Sequence, residues 1–544
     1  ARDYFAANNV RESQLSLCGF EPVSESCERP QFESATRLER MAYFNTVFVC
    51  SYTYHALGSR RPTQSNTPPG PRRHPRSRAN EETQSMTDDH YQVTLGSTSR
   101  VRADLHDVTD LDAVDWAFEG WDTHEYTHGL HPYPARMAPQ IVRALLGYYE
   151  NQGVIAPGDL VYDPFSGSGT TSVEARLAGY NTKANDINPL AKLLTLAKAR
   201  PLPLDQLTAF QDDLMDGLAV ELREVRERYD AGDSFPDIDD PEVRDGWYPQ
   251  PQLWELCVIR DRIDDLEADL ETGHAADIAR FARVALSKTT RTTSYQRNGE
   301  FKRYRLAEAD RESHDPNVYV GFESELTANV EMMREYSAAV DHDRSSAVYL
   351  ADSRTAADIE TNSVDIVITS PPYGDHTTTV AYGQFSKDPA IVAWRRSYDE
   401  MQRVDKIGLG GSTRTLEALE TLEQWSPALA ATMETLRDKE GRADDALEFF
   451  TDYYAVMEQV ARVLKPGNPV AWVVANRTMS RVNIPTHLIT KELCEHLGFE
   501  HQQLIAREIP SKTLPWENAP ENTPGVTGDL MANENIVVMT APEE

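Results

Sequence analysis

Cysteine is scarce in this chain: five in 544 residues, at Cys18, Cys27, Cys50, Cys257 and Cys494, with no CxxC pair and no histidine cluster at zinc-ligand spacing. A disulfide framework and a structural zinc centre are therefore not what holds it together. Positive charge is also in short supply, with 54 Lys and Arg against 87 Asp and Glu and a formal net charge of -33. A surface so acidic repels a phosphate backbone, so any contact with nucleic acid has to come from a local basic strip. Long apolar runs are missing as well. The nearest approach, Met41 to Leu57, is broken by Asn45, Ser51 and His55, short of the roughly 18 residues that a bilayer span needs. These shortages point to an acidic cytoplasmic protein with no membrane segment, built on the core that 40% apolar content can supply.

The stretch to about Ser85 differs from everything after it. It is Arg-rich from Arg60 to Arg78, holds three of the five cysteines and runs through Pro, Ser, Thr and Gln without helical or strand period. It reads as disordered or as a mis-called extension, with Met86 opening the chain proper at Met86-Thr87-Asp88-Asp89; a basic arm that reaches along DNA is the functional alternative. From His128 onward, apolar runs alternate with amphipathic segments. This predicts an α/β fold, a doubly wound and mostly parallel sheet. Strands are expected at Asp159–Asp163, Tyr180–Asp186, Val364–Thr369, Pro469–Ala475 and Glu534–Met539, with a helix over Thr170–Leu177. Residues 86–200 and 346–544 would form the two parts of one domain, separated by a helical insertion at 201–345, and a second insertion at 388–442 carries the turn Gly408-Leu409-Gly410-Gly411.

Two motifs carry chemistry. The first is Asp163-Pro164-Phe165-Ser166-Gly167-Ser168-Gly169-Thr170-Thr171, at a strand end and opening a helix. Glycine lets backbone approach a ligand closely, and the first amides of a helix favour an anionic group such as a carboxylate. About 15 residues on, at the end of the next strand, comes Asp186 in Asn185-Asp186-Ile187-Asn188, where a carboxylate can accept both hydroxyls of a ribose. Alone, Asp186 also suits a helix N-cap. The second motif is Ser370-Pro371-Pro372-Tyr373, directly after the apolar run ending at Thr369. Consecutive prolines remove two N–H donors and stiffen the backbone, so the Ser370 and Pro371 carbonyls can be aimed into a pocket. Two acceptors gripping the hydrogens of an exocyclic amine favour the pyramidal form whose lone pair is nucleophilic, and Tyr373 would stack on a flipped-out base. As a bare sequence the tetrapeptide also suits a turn or a polyproline ligand.

Together these motifs resemble those of the amino-group DNA methyltransferases. The resemblance covers roughly Glu125 to Ala199, Val348 to Phe385 and the strands near Val463 to Asn476, and it implies a Rossmann-like class I methyltransferase fold using S-adenosylmethionine. In that family's pattern Asp163, Phe165, Ser166, Gly167, Gly169, Thr170, Asp186 and Asn188 lie around the cofactor. The upstream run His131 to Pro139, with Tyr133 and Pro134, packs against its methionine end, and Asp352 stands near its adenine. The catalytic Ser370, Pro371, Pro372 and Tyr373 have the form usual for cytosine N4 enzymes, whereas adenine N6 enzymes more often place Asp or Asn first. Many N4 enzymes put the tetrapeptide before the cofactor loop; here the loop comes first. RNA enzymes acting on guanine or adenine amino groups share similar loops, but usually with Asp or Asn before Pro-Pro-Tyr and a separate basic domain. A degenerate, DNA-binding subunit is opposed by intact Gly167, Gly169, Pro371, Pro372 and Tyr373. The acid-rich, lysine-poor composition is similar to that of salt-adapted haloarchaeal proteins.

The resemblance leaves the target-reading element unplaced, and charge suggests where it lies. Lys288, Arg291, Arg297, Lys302, Arg303 and Arg305 stand against a single Glu300, with Tyr295, Phe301 and Tyr304 interleaved. That pattern suits phosphate contact with stacking, and equally a helix face paired with acidic neighbours. Arg507, Lys512 and Trp516 form a fainter candidate, and His376, Tyr382 and Phe385 are placed to line a base pocket, with no chemical role assigned to His376. The expected activity is methyl transfer to cytosine N4 in duplex DNA, without metal or covalent intermediate, protecting host DNA beside a restriction endonuclease or alone.

Overall fold

The computed structural model describes residues 105–235, 238–239, 241–297, 303–374, 382–411, 416–439, 441–509 and 533–543, all within the compact unit Val93–Glu544. The N-terminal extension, Glu300, Phe301, Lys302, His376, Lys512 and Trp516 lie outside the described residues.

Seven strands form the main sheet: β1 (Leu160–Asp163), β2 (Asn181–Asp186), β3 (Ser346–Leu350), β4 (Ile366–Thr369), β5 (Pro469–Ala475), β8 (Glu500–Glu508) and β9 (Asn533–Thr540), while β6 (Arg477–Met479) and β7 (Val482–Ile484) make a small separate hairpin. The order across the sheet is β3-β2-β1-β4-β5-β9-β8. β1 to β5 run parallel, and β9 enters antiparallel between β5 and β8, pairing Trp472 with Val537 and Leu504 with Val537 from its two sides. The order reverses at β1 and β4, the point where open α/β sheets bind ligands beyond their strand ends.

Side-chain alternation explains the two-faced core. Val161, Ile366, Ile368, Ala471, Val473, Ile536 and Val538 face one side, against the helix α1 (Pro139–Asn151). Their neighbours Tyr162, Val367, Val470, Trp472, Val537 and Met539 face the other. β1, β4, β5 and β9 thus bury both faces, which is why these runs read as nearly continuous apolar sequence.

The first connections are α2 (Thr170–Leu177) and α3 (Pro189–Ala199), the latter with Pro at its first position. The expected insertion at 201–345 is helical: α4 (Leu204–Met215), α5 (Leu218–Asp230), α6 (Gln250–Asp269), α7 (Ala275–Thr293), the short α8 (Glu308–Glu312) and α9 (Val318–Ala339). One apolar cluster joins Leu256, Phe281 and Phe322 of this insertion to Leu190 and Leu194 of α3 and to Phe385 and Ile391 of α10 (Tyr382–Trp394). The insertion therefore packs as part of the same body as the sheet's helices. α11 (Tyr398–Ile407), α12 (Leu416–Trp425) and α13 (Pro427–Leu436) fill the second insertion, and α14 (Arg442–Val463) and α15 (Thr486–His496) cover the second sheet face. Among the described residues no helix is long and apolar enough to cross a membrane.

Candidate active site

The sequence places its polar motifs at the carboxyl ends of β1, β2, β3 and β4, and these ends converge on one cleft. Asp163 closes β1. Its carboxylate accepts from the Phe165 amide at 3.0 Å and from the Thr369 hydroxyl at 2.6 Å. Thr369 is the last residue of β4, so a single buried carboxylate ties the glycine loop to the residue preceding Ser370. Burial pushes the Asp163 carboxyl up to about 6.

The loop then needs glycine for two reasons. Gly167 and Gly169 have φ of +50° and +85°, a left-handed conformation that other residues reach only at a cost. At Gly169 a side chain would also collide, because a Cβ there would lie 2.9 Å from Thr195 of α3, whereas one on Gly167 would sit in ordinary contact, 3.4 Å from the Tyr133 ring. The Gly167 amide donates to Asp186 at 2.9 Å, and the Asn188 amide donates to the other Asp186 oxygen at 2.8 Å. Burial lifts the Asp186 carboxyl to about 7. The N-cap of α3 is Asn188, whose side chain accepts from the Leu190 amide, so Asp186 is not the cap.

The upstream run 131–139 forms another wall. Tyr133 receives a hydrogen bond from the Asn188 amide group at 3.1 Å, stacks on Tyr382 with ring centroids 5.8 Å apart and meets Phe385 edge-on. Behind it, buried Lys198 donates to the His128 and His131 carbonyls, and Arg136 donates to the His128 carbonyl at 2.7 Å. Burial would lift Glu174, but Arg143 and His128 hold it below the usual carboxylate range. His131 and Arg136 belong to the upstream run read in the sequence, whereas Lys198, His128, Glu174 and Arg143 carry no motif and pass unnoticed there.

Of the expected cofactor residues, Tyr133, Pro134, Asp163, Phe165, Ser166, Gly167, Thr170, Asp186, Asn188 and Asp352 line the cleft, while Gly169 sits beneath it against α3. Asp352 also forms an ion pair with Arg354 at 2.6 Å, and Arg354 reaches Asp452 at 2.8 Å. Ser370 and Pro372 line the cleft, Pro371 is buried, and half-buried Tyr373 donates its hydroxyl to Glu534. The remaining wall, including Ile187, Val404, Asp405, Ile407 and Leu409, was not anticipated. The glycine turn at 408–411 was its only visible signal. Asp405 caps the start of α10, accepting from the Gly383 and Gln384 amides at 2.7 and 3.0 Å.

The basic strip divides in two. Lys288 pairs with Glu325 at 2.5 Å, the Arg291 guanidinium lies 3.8 Å over the Phe385 ring, and Arg303 forms a bidentate pair with Asp388 while stacking on Trp247 at 4.1 Å. These three cations are spent on internal contacts. Arg297 and Arg305 remain exposed on a turn closed by the Gln296–Arg305 bridge, over Tyr304 and Trp247. Arg507 is 6% exposed and pairs with Glu534, which leaves it no face for a phosphate. Tyr382 lines the cleft, and Phe385 is buried behind it.

A mostly parallel sheet in this order, with a glycine loop and a strand-end carboxylate at the switch point, is that of a Rossmann-like class I methyltransferase. Comparison with known proteins narrows the class. The N6/N4 family model described as DNA methylase matches residues 32–194. Type II methyltransferase M.MvaI of Kocuria varians is 33% identical over 439 residues, covering 78% of this chain and 92% of that protein. Type II methyltransferase M.MjaII of Methanocaldococcus jannaschii is 33% identical over 108 residues, 19% of each chain. Among solved structures, an rRNA methyltransferase of Streptomyces viridochromogenes aligns at 10% identity over 79% of this chain and 98% of that one, with a TM-score of 0.26, too low to bear on the argument. The chain belongs to the amino-group DNA methyltransferases, enzymes that take their methyl group from S-adenosylmethionine.

Proposed function

We propose that this enzyme methylates the N4 amino group of cytosine within a short duplex DNA sequence, with Ser370 to Tyr373 as the catalytic tetrapeptide and the cleft above β1 and β2 as the cofactor site. The observation that carries the reading is the Asp163–Thr369 hydrogen bond, which locks the glycine loop to the end of β4 where Ser370 begins the tetrapeptide. Methyl donor and amine must meet in line at close range, and two loops pinned to one carboxylate supply that fixed relation.

S-adenosylmethionine supplies the electrophilic methyl group. Its fit rests on the bare loop: with no Cβ at Gly167 the space beside Tyr133 stays open, and Phe165, Ser166, Asp186 and Asn188 line it. Ser370 and Pro371 hold the amine's hydrogens with their carbonyls, which orients its lone pair. The Tyr373 ring stacks on the extruded base, a position that its anchored hydroxyl restricts to one plane. The first residue being Ser370 supports cytosine over adenine.

The helical insertion supplies the DNA contact in this reading. Arg297 and Arg305 meet phosphate, and Arg303 and Arg291 brace the strip against α10 beside the cleft. The enzyme acts on cytoplasmic DNA at high salt, where a Debye length of about 3 Å at 1 M screens its net charge, and protects host DNA with a cognate endonuclease or alone. The test incubates the protein with labelled S-adenosylmethionine and unmodified genomic DNA in high salt, then identifies the labelled nucleoside by mass. N4-methylcytosine is expected; N6-methyladenine would overturn the choice of base, and label taken up only by tRNA would overturn the choice of DNA.

A further inference from the structure

We infer that Glu534 is a positioning residue for the methyl transfer: it sets the direction of a hydrogen-bond chain through Tyr373 to Ser370, so that the Ser370 hydroxyl faces the substrate amine as an acceptor. The inference rests on reading Ser370 to Tyr373 as the catalytic tetrapeptide.

The direction follows from counting hydrogens. Arg507 donates to one oxygen of Glu534 at 2.5 Å, and its Nε donates to the Trp116 carbonyl at 3.0 Å. Glu534 and Arg507 face each other across β9 and β8 and are 8% and 6% exposed. A carboxylate so paired can only accept. Tyr373 therefore donates its single hydroxyl hydrogen to Glu534, at 2.8 Å. At the contact of 3.4 Å between Ser370 Oγ and the Tyr373 hydroxyl oxygen, the tyrosine has no hydrogen left, and Ser370 is the donor. With its hydrogen spent, Ser370 offers the cleft only lone pairs. An exocyclic amine brings to that position a hydrogen that the hydroxyl shares with the Ser370 carbonyl, whereas a keto oxygen brings more lone pairs and is turned away. The chain therefore selects amino-bearing bases from behind the tetrapeptide, through two residues on strands that carry no catalytic motif.

The exchange E534Q tests this because it keeps shape and reverses direction. Arg507 still donates, so the amide oxygen turns toward it and the amide NH2 turns toward Tyr373. Tyr373 must then accept, and its own hydrogen points to Ser370. The full chain is assayed on unmodified genomic DNA with labelled S-adenosylmethionine, and cofactor affinity is measured separately by equilibrium dialysis. We expect E534Q to lower kcat about tenfold or more with cofactor affinity unchanged; because Arg507 loses a buried ionic partner the thermal midpoint should fall, so rates are compared well below it. E534D, which keeps the acceptor, should retain more activity than E534Q despite its shorter reach. Y373F should lose about threefold, and adding E534Q to it should cost nothing more.

Activity of E534Q within twofold of the parent would overturn the inference, as would equal damage from E534D, or cofactor affinity lost in step with kcat. P372A separates the two levels. If P372A methylates normally, the tetrapeptide reading itself falls; if P372A is inactive while E534Q is normal, only the role of Glu534 falls.

Discussion

The glycine loop and the basic strip were both prominent in the sequence, yet the structure treats them differently. In the loop, the conformation is set close at hand: Gly167 and Gly169 adopt left-handed conformations, and the Asp163 carboxylate turns back on the amide two residues ahead before reaching Thr369. Such constraints are local, so sequence displays them. In the strip, the fate of each cation is decided by a partner far along the chain. Arg303 meets Asp388 and Lys288 meets Glu325, pairings that no local pattern announces. Charge composition located a functional-looking segment but did not tell its braces from its contacts.

The sharpest way to break this comparison is to remove a brace. Arg303→Ala leaves Asp388, 2% exposed, without its bidentate partner, and stability should fall by about 3 kcal/mol in a denaturant titration. If Arg303 were instead a surface phosphate contact, stability would hold and DNA affinity alone would drop. Next in size is Gly169→Ala, which meets both a left-handed φ and the 2.9 Å approach to Thr195. A loss of about 2 kcal/mol, with weaker cofactor binding by dialysis, is expected.

Acidity supplies a third test. The carboxyls of Asp163 and Asp186 are raised by burial to about 6 and about 7, above the 3.8 of a free side chain. A raised carboxyl favours the folded state while protonated and gives up that stability as pH rises through its folded value. Without cofactor, the melting temperature should therefore decline from about pH 4, where the unfolded carboxyls ionise, to about pH 7, where the folded ones have done so. The cationic methyl donor favours ionised carboxylates, so its affinity should rise over the same interval, by roughly tenfold at most per pH unit. A cofactor affinity flat across that window would show that neither group faces the donor's charge. The smallest effect belongs to the exposed pair: Arg297→Ala or Arg305→Ala should leave stability within about 0.5 kcal/mol, weaken DNA binding across all sequences and reduce the salt slope by about 1, as a filter-binding salt series would show.

How much of the fold was legible follows the same division between local and distant causes. The helix expected over Thr170–Leu177 and the strand over Pro469–Ala475 have those bounds in the structure, and the four other expected strands differ by two residues or fewer at either end. β3 and β8 went unread. β3 and β8 are the two edge strands: β3 is fully buried only at Val348, and β8 carries Glu500, Gln502, Leu504, Ala506 and Glu508 on its exposed side. Without continuous apolar sequence, an edge strand looks like loop. At the site, Asp405 and Glu534 were missed because they reach the cleft or its support from elements with no motif of their own.

The shared interior of α3, α10 and the helical insertion has a consequence for engineering. Target specificity is most easily exchanged between enzymes when the variable part is a cassette joined by a thin seam. Here residues 201–345 contribute Phe281 and Phe322 to the same cluster as Leu194 and Phe385, so the seam is a packed core. A graft from a relative would have to bring matching α3 and α10 surfaces with it, or leave voids beside the cofactor cleft.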